Sequence, residues 1–219
     1  GEAARAAQAE RIAELEAEAA AAKAKAEADA KAKADAEAAA AAEAVAPVAE
    51  AAAPTAIVPR ALAGHTGEVN GVAFARGGRR VASAGGGDKT ARVWDLESGA
   101  TLHTLEGHTG GVRAVTCFDR GGGWVIVTAS DDKTARVWDL ESGAARRTLQ
   151  HPNWVLSIAC WGVAGGWVIV SGCDDNNAYV WDGESGAMRR TLAGHTGQVW
   201  SVACAGVAGG GIIASASAD

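Results

Sequence analysis

Four sets of polar side chains recur along the chain in the order histidine, serine or threonine, then aspartate, and a tryptophan completes three of them. A hydroxyl, an imidazole and a carboxylate are the groups that a hydrolase uses for nucleophilic catalysis. The sets are His65, Ser83, Asp88 and Trp94; His108, Thr128, Asp132 and Trp138; His151, Ser171, Asp175 and Trp181; and the shorter set His195, Ser215 and Asp219. Because the trio returns about every 43 residues, it cannot be one active site. We therefore expect the sets to be structural and the chain to be non-catalytic.

The cysteines are the other residues with metal or redox chemistry. Cys117, Cys160 and Cys204 each follow a repeat histidine by nine residues, and Phe74 has that place in the first repeat. A position that accepts phenylalanine or cysteine is typical of an apolar core. The sequence has no CxxC spacing and no convergent His and Cys cluster, so we expect no metal, no cofactor and no disulfide framework. Free cysteines favour a reducing, intracellular setting, and we predict a cytoplasmic protein, with the nucleus left open.

Two dipeptides mark the period that positions these side chains. Gly-His or its equivalent opens each set, and the histidines are spaced by 43, 43 and 44 residues. Trp-Asp occurs at Trp94, Trp138 and Trp181, within KTARVWDLESGA twice and NNAYVWDGESGA once. Self-similarity at a fixed period is typical of stacked or radial repeat architectures.

Within each period the hydrophobic pattern alternates as it does in β-strands. EVNGVAF and its counterparts predict a first strand, GWVIVTAS a second, TARVWDL a third and TLHTL a fourth. Glycine-rich turns separate the first two strands, and ESG joins the last two. The sequence therefore predicts an all-β region with one sheet of four antiparallel strands in each period. The predicted sheets cover 68–105, 112–149 and 154–192, and a fourth has two strands at 198–204 and 211–216.

These residues resemble the WD40-repeat β-propeller family. The Gly-His and Trp-Asp dipeptides, the DDKT turn and the period all match, over about residues 57–219. The resemblance implies blades of four strands around a central channel, with about three complete blades and part of a fourth. It also implies an outer strand near Ile57–Leu62 that belongs to the closing blade, so we expect the ring to be incomplete and the chain to be a fragment. Each polar set would form a hydrogen-bonded network within its blade.

The first 46 residues differ in composition from the repeats. They are rich in alanine, glutamate and lysine, and glycine and proline are absent from 2 to 46, so a long α-helix is predicted. A proline- and alanine-rich linker follows at 47–59. The helix is either a solvated spacer or a weak coiled coil that lets the chain self-associate through Ile12 and Leu15.

The distribution of charge argues against two classes of partner. Residues 1–44 carry 6 basic and 10 acidic groups, and residues 60–219 carry 14 and 15. A near-neutral repeat region beside a mildly acidic helix lacks the positive surface that nucleic acid or an anionic membrane requires. No run of about 18 strongly apolar residues predicts a membrane span, and the first residues do not have the pattern of a signal peptide.

Positions that vary between repeats are the candidates for binding a partner. The residue type changes three and five residues after each histidine, and again just before each turn aspartate. By the resemblance, these positions border the upper face of a propeller near its channel. The candidate set is Glu68, Asn70, Arg113, Asp131, Trp154, Asp174, Gln198 and Trp200. Tryptophan and arginine are favoured interface anchors; alternatively, the two tryptophans fill space between blades.

We therefore predict a non-catalytic scaffold or adaptor that binds a protein or peptide through the propeller face. One alternative is a regulatory propeller within a larger signalling or enzymatic protein. Another is a structural protein that is oligomerised by its N-terminal helix.

Overall fold

The computed structural model describes residues 61–163, 165–207 and 210–219. The predicted helix over 1–46, its seam at Ile12 and Leu15, and the linker at 47–59 lie outside the described residues. The outer strand predicted near Ile57–Leu62 lies mostly outside them as well, and its last two residues are in no strand. No helix in the described part of the chain is long and apolar enough to cross a membrane.

The described residues fold into four antiparallel sheets, which we call blades 1 to 4 in chain order. Blade 1 contains β1 (Val69–Ala75), β2 (Arg80–Gly85), β3 (Ala91–Asp95) and β4 (Thr101–Leu105). Blade 2 contains β5 (Val112–Asp119), β6 (Trp124–Ser130), β7 (Thr134–Asp139) and β8 (Ala145–Gln150). Blade 3 contains β9 (Val155–Val163), β10 (Gly166–Cys173), β11 (Ala178–Asp182) and β12 (Met188–Leu192), and blade 4 contains β13 (Val199–Val207) and β14 (Gly210–Ser217). The predicted all-β architecture, with four antiparallel strands per period, is confirmed.

The first strands of successive blades lie next to one another. β1 contacts β5, β5 contacts β9, and β9 contacts β13, whereas the main contacts of each fourth strand are with the third strand of its own blade. The described blades therefore fan out from their first strands, in the radial arrangement of a propeller.

The described blades pack face to face on their neighbours. We call the face on the side of the preceding blade the leading face, and the face on the side of the following blade the trailing face. In blade 2, Val112, Val115 and Ile126 on the leading face cluster with blade 1, whereas Val125 and Val127 on the trailing face cluster with blade 3. Side chains alternate across a strand, and both faces are covered here. This explains why β6 is apolar at almost every position.

Two faces are uncovered among the described residues, namely the leading face of blade 1 and the trailing face of blade 4. Val72 in blade 1 is 63% exposed, while Val115 at the equivalent position of blade 2 is 9% exposed. At the other end of the fan, Ile212 is 57% exposed, while its equivalent Val125 is 1% exposed. Equivalent side chains thus differ in burial because only some of them have a described neighbouring blade.

The uncovered leading face corrects one expectation. Phe74 was expected to share a core position with the cysteines that follow the other histidines by nine residues, but it is 67% exposed. Cys117, Cys160 and Cys204 are free thiols, partly buried, and each packs against an apolar cluster between blades. The position is therefore a core position only where another blade covers it.

Candidate functional site

One edge of every blade, which we call the upper edge, brings two variable segments side by side. These are the start of the first strand and the loop between the second and third strands. A backbone N–H in the loop donates to a carbonyl three residues after the repeat histidine. The bonds run from Gly86 to Glu68 at 2.9 Å, from Asp131 to Gly111 at 3.0 Å, from Asp174 to Trp154 at 3.0 Å, and from Ala218 to Gln198 at 3.2 Å.

The recurring polar sets tie the loop of the upper edge to the sheet. In blade 2, His108 Nδ1 lies 2.8 Å from Asp132 Oδ2, and His108 Nε2 lies 2.7 Å from Thr128 Oγ1. The indole N–H of Trp138 donates to the same Thr128 oxygen at 2.9 Å. A neutral imidazole that carries its proton on Nδ1 satisfies both histidine contacts, because the threonine hydroxyl then donates to Nε2.

Blades 1 and 4 have the same arrangement. His65 bonds to Asp88 and to Ser83, each at 2.7 Å, and the indole of Trp94 donates to Ser83. The equivalent contacts of blade 4 join His195 to Asp219 and to Ser215. In all three blades the turn aspartate also accepts the backbone N–H that follows the histidine, from Thr66, Thr109 and Thr196.

Blade 3 departs from this pattern. His151 Nε2 lies 2.8 Å from Ser171 Oγ, and Trp181 donates to that hydroxyl at 3.0 Å. Asp175, however, accepts the hydroxyl of Tyr179 at 2.5 Å, and His151 Nδ1 donates to the carbonyl of Leu149 at 3.1 Å. The expected bond between His151 and Asp175 is therefore absent among the described contacts. Tyr179, the donor to Asp175, occupies the place that arginine has in blades 1 and 2.

The electrostatics of these sets are those of buried structural bonds. Burial lowers the pKa of His108 and outweighs the opposing hydrogen bond and charge of Asp132. Burial alone would raise the pKa of Asp132, but hydrogen bonds from Thr134, His108 and the Thr109 N–H bring it below its ordinary value. The hydroxyls of Thr128 and Ser171 belong to fully buried residues, so a substrate cannot reach them. Ser215 and Asp219 of blade 4, in contrast, are exposed.

The missing carboxylate partner gives His151 a testable pH dependence. Burial lowers the pKa of His151 to about 4, against smaller raising effects of the Leu149 carbonyl and the Asp175 charge. Below about pH 6.5 His151 is protonated in the unfolded chain but stays neutral in the folded chain. The free energy of unfolding therefore decreases as the pH decreases. The effect of this group grows to about 3 kcal/mol near pH 4.

We expect the NMR titration of the His151 ring to have its midpoint well below pH 6. The variant Tyr179→Phe frees Asp175, so the midpoint of His151 should rise in that variant. The titration isolates one ring and is therefore not confused by carboxylates that titrate in the same range. A midpoint near 6.5 in the unaltered chain would contradict the burial argument.

Each first strand contains a β-bulge five residues after the repeat histidine. The pairing register skips one residue in every blade, and these residues are Asn70, Arg113, Leu156 and Trp200. A bulge removes a residue from the ladder and re-aims its side chain. Three of the four are exposed and Leu156 is partly buried. Leu156 is missing from the candidate set, although its spacing from His151 places it with the others.

The two halves of the upper edge differ in chemistry. In blades 1 and 2, Arg113 Nε lies 2.8 Å and 2.9 Å from the two oxygens of Asp131, and Asn70 donates to the Val112 carbonyl at 2.9 Å. Glu68 beside them is exposed. This half is therefore polar and internally paired.

Blades 3 and 4 form an aromatic half. Trp154 is 45% exposed and Trp200 is 56% exposed, so neither side chain is enclosed between described blades. Asp174 accepts hydrogen bonds from the amide of Asn153 at 2.6 Å and from the amide of Gln198. In the aromatic half the structure thus joins candidate residues of two neighbouring blades, Asp174 and Gln198. In the polar half the bonded candidates, Arg113 and Asp131, lie within blade 2.

The described residues of the upper edge come from the bulges and loops of several blades. Within the described ranges, no group of three or more His, Cys, Asp or Glu residues is placed to hold a metal ion. The variable residues are carried on bulges and loops that buried hydrogen bonds fix to the sheets. Such a surface is suited to recognising another molecule through side chains that can vary without loss of the fold.

Comparison with known proteins identifies the repeats. The family model described as "WD domain, G-beta repeat" matches residues 58–95, 99–139 and 143–182, which together make up more than half of the chain. An uncharacterized WD repeat-containing protein of Synechocystis is 43% identical over 54 residues, or 25% of this chain and 16% of the relative.

Two further relatives have more informative names. The probable serine/threonine-protein kinase PkwA of Thermomonospora curvata is 57% identical over 47 residues, 22% of this chain and 6% of the kinase. A probable E3 ubiquitin ligase complex SCF subunit, sconB of Arthroderma otae, is 46% identical over 54 residues, 25% of this chain and 8% of the subunit. The chain thus covers a small part of each relative's length. Both its blades and its matched repeats show that this chain belongs to the WD40-repeat family.

Proposed function

We propose that the chain is a non-catalytic adaptor that binds a protein or peptide across its upper edge. The observation that carries the proposal is that one equivalent β-bulge in each of four blades presents a different side chain. Asn70, Arg113, Leu156 and Trp200 occupy the same backbone position, yet they offer an amide, a cation, an aliphatic and an aromatic group. Variation at a fixed backbone position supports recognition of a particular partner.

The sets of hydrogen bonds, of which those in blades 1 to 3 are largely buried, support this role by joining the loops to the sheets. A surface that is already ordered loses little conformational entropy when a partner binds. Trp154, Trp200 and Arg113 are of the types that contribute most to binding energy at interfaces. The relative from Arthroderma otae is named as a probable subunit of an E3 ubiquitin ligase complex. A subunit of a complex binds other proteins, and this supports an adaptor role for this chain.

A recovery experiment with two matched variants tests the proposal. The upper-edge variant replaces Asn70, Arg113, Trp154 and Trp200 with alanine. The control variant replaces Leu102 and Met188, which are exposed on the outer strands β4 and β12, with alanine as well. We expect a partner recovered by the unaltered chain to be retained by the control and reduced about tenfold or more by the upper-edge variant, because the anchors are lost.

Both variants must keep the circular dichroism spectrum and melting behaviour of the unaltered chain, so that any loss reflects the surface. Equal recovery of the partner by the upper-edge variant would place the interface elsewhere on the molecule.

A second candidate function is a regulatory propeller attached to an enzyme. It is favoured by the match to the probable kinase of Thermomonospora curvata. Of the three relatives described above, this kinase has the highest sequence identity to the chain. A catalytic domain in the coding sequence outside Gly1–Asp219 would support it.

Self-association through Ile12 and Leu15 and a cytoplasmic location stay predictions.

A further inference from the structure

Basic residues are unequally distributed between the two halves of the upper edge. Blades 1 and 2 carry Lys89, Arg113 and Lys133 in the loops and bulges of this edge. Residues 148–188 and 191–219 contain no lysine or arginine. The aromatic half of the upper edge therefore has carboxylates but no lysine or arginine of its own.

The carboxylate of Asp174 shows the consequence most directly. Its equivalent in blade 2, Asp131, forms a two-oxygen ion pair with Arg113. Leu156 occupies the arginine position in blade 3, so that pair has no counterpart there. The described donors to Asp174 are the side-chain amides of Asn153 and Gln198, which are uncharged.

The neighbouring Asp175 likewise has neutral hydrogen-bond donors as its described partners. It accepts the Tyr179 hydroxyl and the Asn177 N–H, both neutral donors. The charge of Asp175 acts on His151, but burial lowers the pKa of His151 to about 4, so this ring is uncharged at neutral pH. Two adjacent carboxylates thus lie at this edge with neutral donors as their described partners.

Two half-exposed tryptophans lie on the chain segments whose backbone or side chains bond to Asp174. The carbonyl of Trp154 accepts the N–H of Asp174, and Trp200 follows Gln198, whose amide bonds the Asp174 carboxylate, by two residues. The face of an indole attracts a cation, and this attraction strengthens where water is partly excluded. A carboxylate beside it adds a charge-assisted hydrogen bond.

We propose that the surface formed by Trp154, Asp174 and Trp200 binds a cationic side chain, arginine or lysine, of the partner. The proposal rests on the adaptor function above and names the chemistry that this half of the edge recognises. Charge complementarity selects the cation over an apolar side chain. An aliphatic group would pack on the indoles equally well, but it would cover Asp174 without compensating its charge.

Capped pentapeptides test this on the full chain. The probes are Gly-Gly-Xaa-Gly-Gly peptides with blocked termini, in which the central residue is arginine, lysine, citrulline, norleucine or glutamate. Binding is followed by the NMR shifts of the Trp154 and Trp200 indole N–H groups. We expect the arginine and lysine peptides to shift both signals, with an apparent Kd about tenfold lower than that of the citrulline peptide. The glutamate peptide should bind most weakly.

Two isosteric variants provide the matched control. Asp174→Asn removes the negative charge together with one of the two oxygens that accept the amides of Asn153 and Gln198. It should weaken the arginine peptide about tenfold and change the affinity for the citrulline peptide less than about twofold, because the citrulline peptide makes no charge interaction. Asp131→Asn, at the equivalent position of blade 2, should change the affinity for the arginine peptide less than about twofold, since Asp131 is already paired with Arg113.

Equal affinity for the arginine, citrulline and norleucine peptides would overturn the assignment of a cationic ligand while leaving the upper edge a binding surface. Absence of any indole shift would overturn the inference, and the partner-recovery experiment would still decide the adaptor function by itself.

Discussion

The variant Trp138→Ala is expected to lower the free energy of unfolding by about 3–5 kcal/mol. The Trp138 side chain is 2% exposed and packs in the cluster between blades 1 and 2. Its indole also donates to Thr128 and contacts His108 edge-on, with ring centroids 6.1 Å apart. Truncation therefore opens a cavity and removes a donor from a buried network, and both effects destabilise the fold.

Trp200→Ala is the matched control, since it makes the same truncation at a side chain that is 56% exposed. It should change the unfolding free energy by less than about 1 kcal/mol. Urea denaturation at neutral pH, followed by far-ultraviolet circular dichroism, measures both values. In a binding assay we expect the opposite result: Trp200→Ala should reduce the affinity for the partner more than Trp138→Ala does. A similar loss of stability for both would mean that Trp200 belongs to the core.

A second pair of variants compares equivalent positions of two blades. Val115→Asp should destabilise the fold by about 4 kcal/mol, because it buries an unpaired carboxylate between blades 1 and 2. Val72→Asp makes the same change at the equivalent place on the uncovered leading face of blade 1, where the side chain is 63% exposed. We expect it to cost less than about 1 kcal/mol.

The same denaturation experiment distinguishes the two positions. A large loss for Val72→Asp would contradict the exposure of this face and would mean that another surface covers it in solution. A small loss for Val115→Asp would contradict the packing of blade 2 on blade 1.

The strands could be predicted from the sequence because their signals are local. GWVIVTAS is apolar at almost every position, as a strand covered on both faces must be, and Gly77 and Gly121 mark turns with positive φ values of 61° and 77°. The repeated Gly-His and Trp-Asp dipeptides then placed equivalent strands in register. A period of about 43 residues needs no knowledge of how the blades pack.

The candidate site could be located only in part. Its positions were recognised because they vary between repeats at a constant distance from the histidine. The bulges that carry Asn70, Arg113, Leu156 and Trp200 could not be recognised, since a bulge is an offset between two paired strands and not a property of one segment.

The sequence by itself determined the repeat, the order of the strands, the polar sets and the positions that vary. Only the tertiary structure decided which of the equivalent residues are buried and which hydrogen-bond partners they have. Val72 and Val115 are the same residue in the same local pattern, but among the described residues only Val115 is covered by a neighbouring blade. Asp175 accepts a hydrogen bond from the Tyr179 hydroxyl, and Asp131 accepts hydrogen bonds from Arg113. Burial and hydrogen-bond partners depend on side chains that are distant in the chain, whereas strand formation depends mainly on adjacent ones.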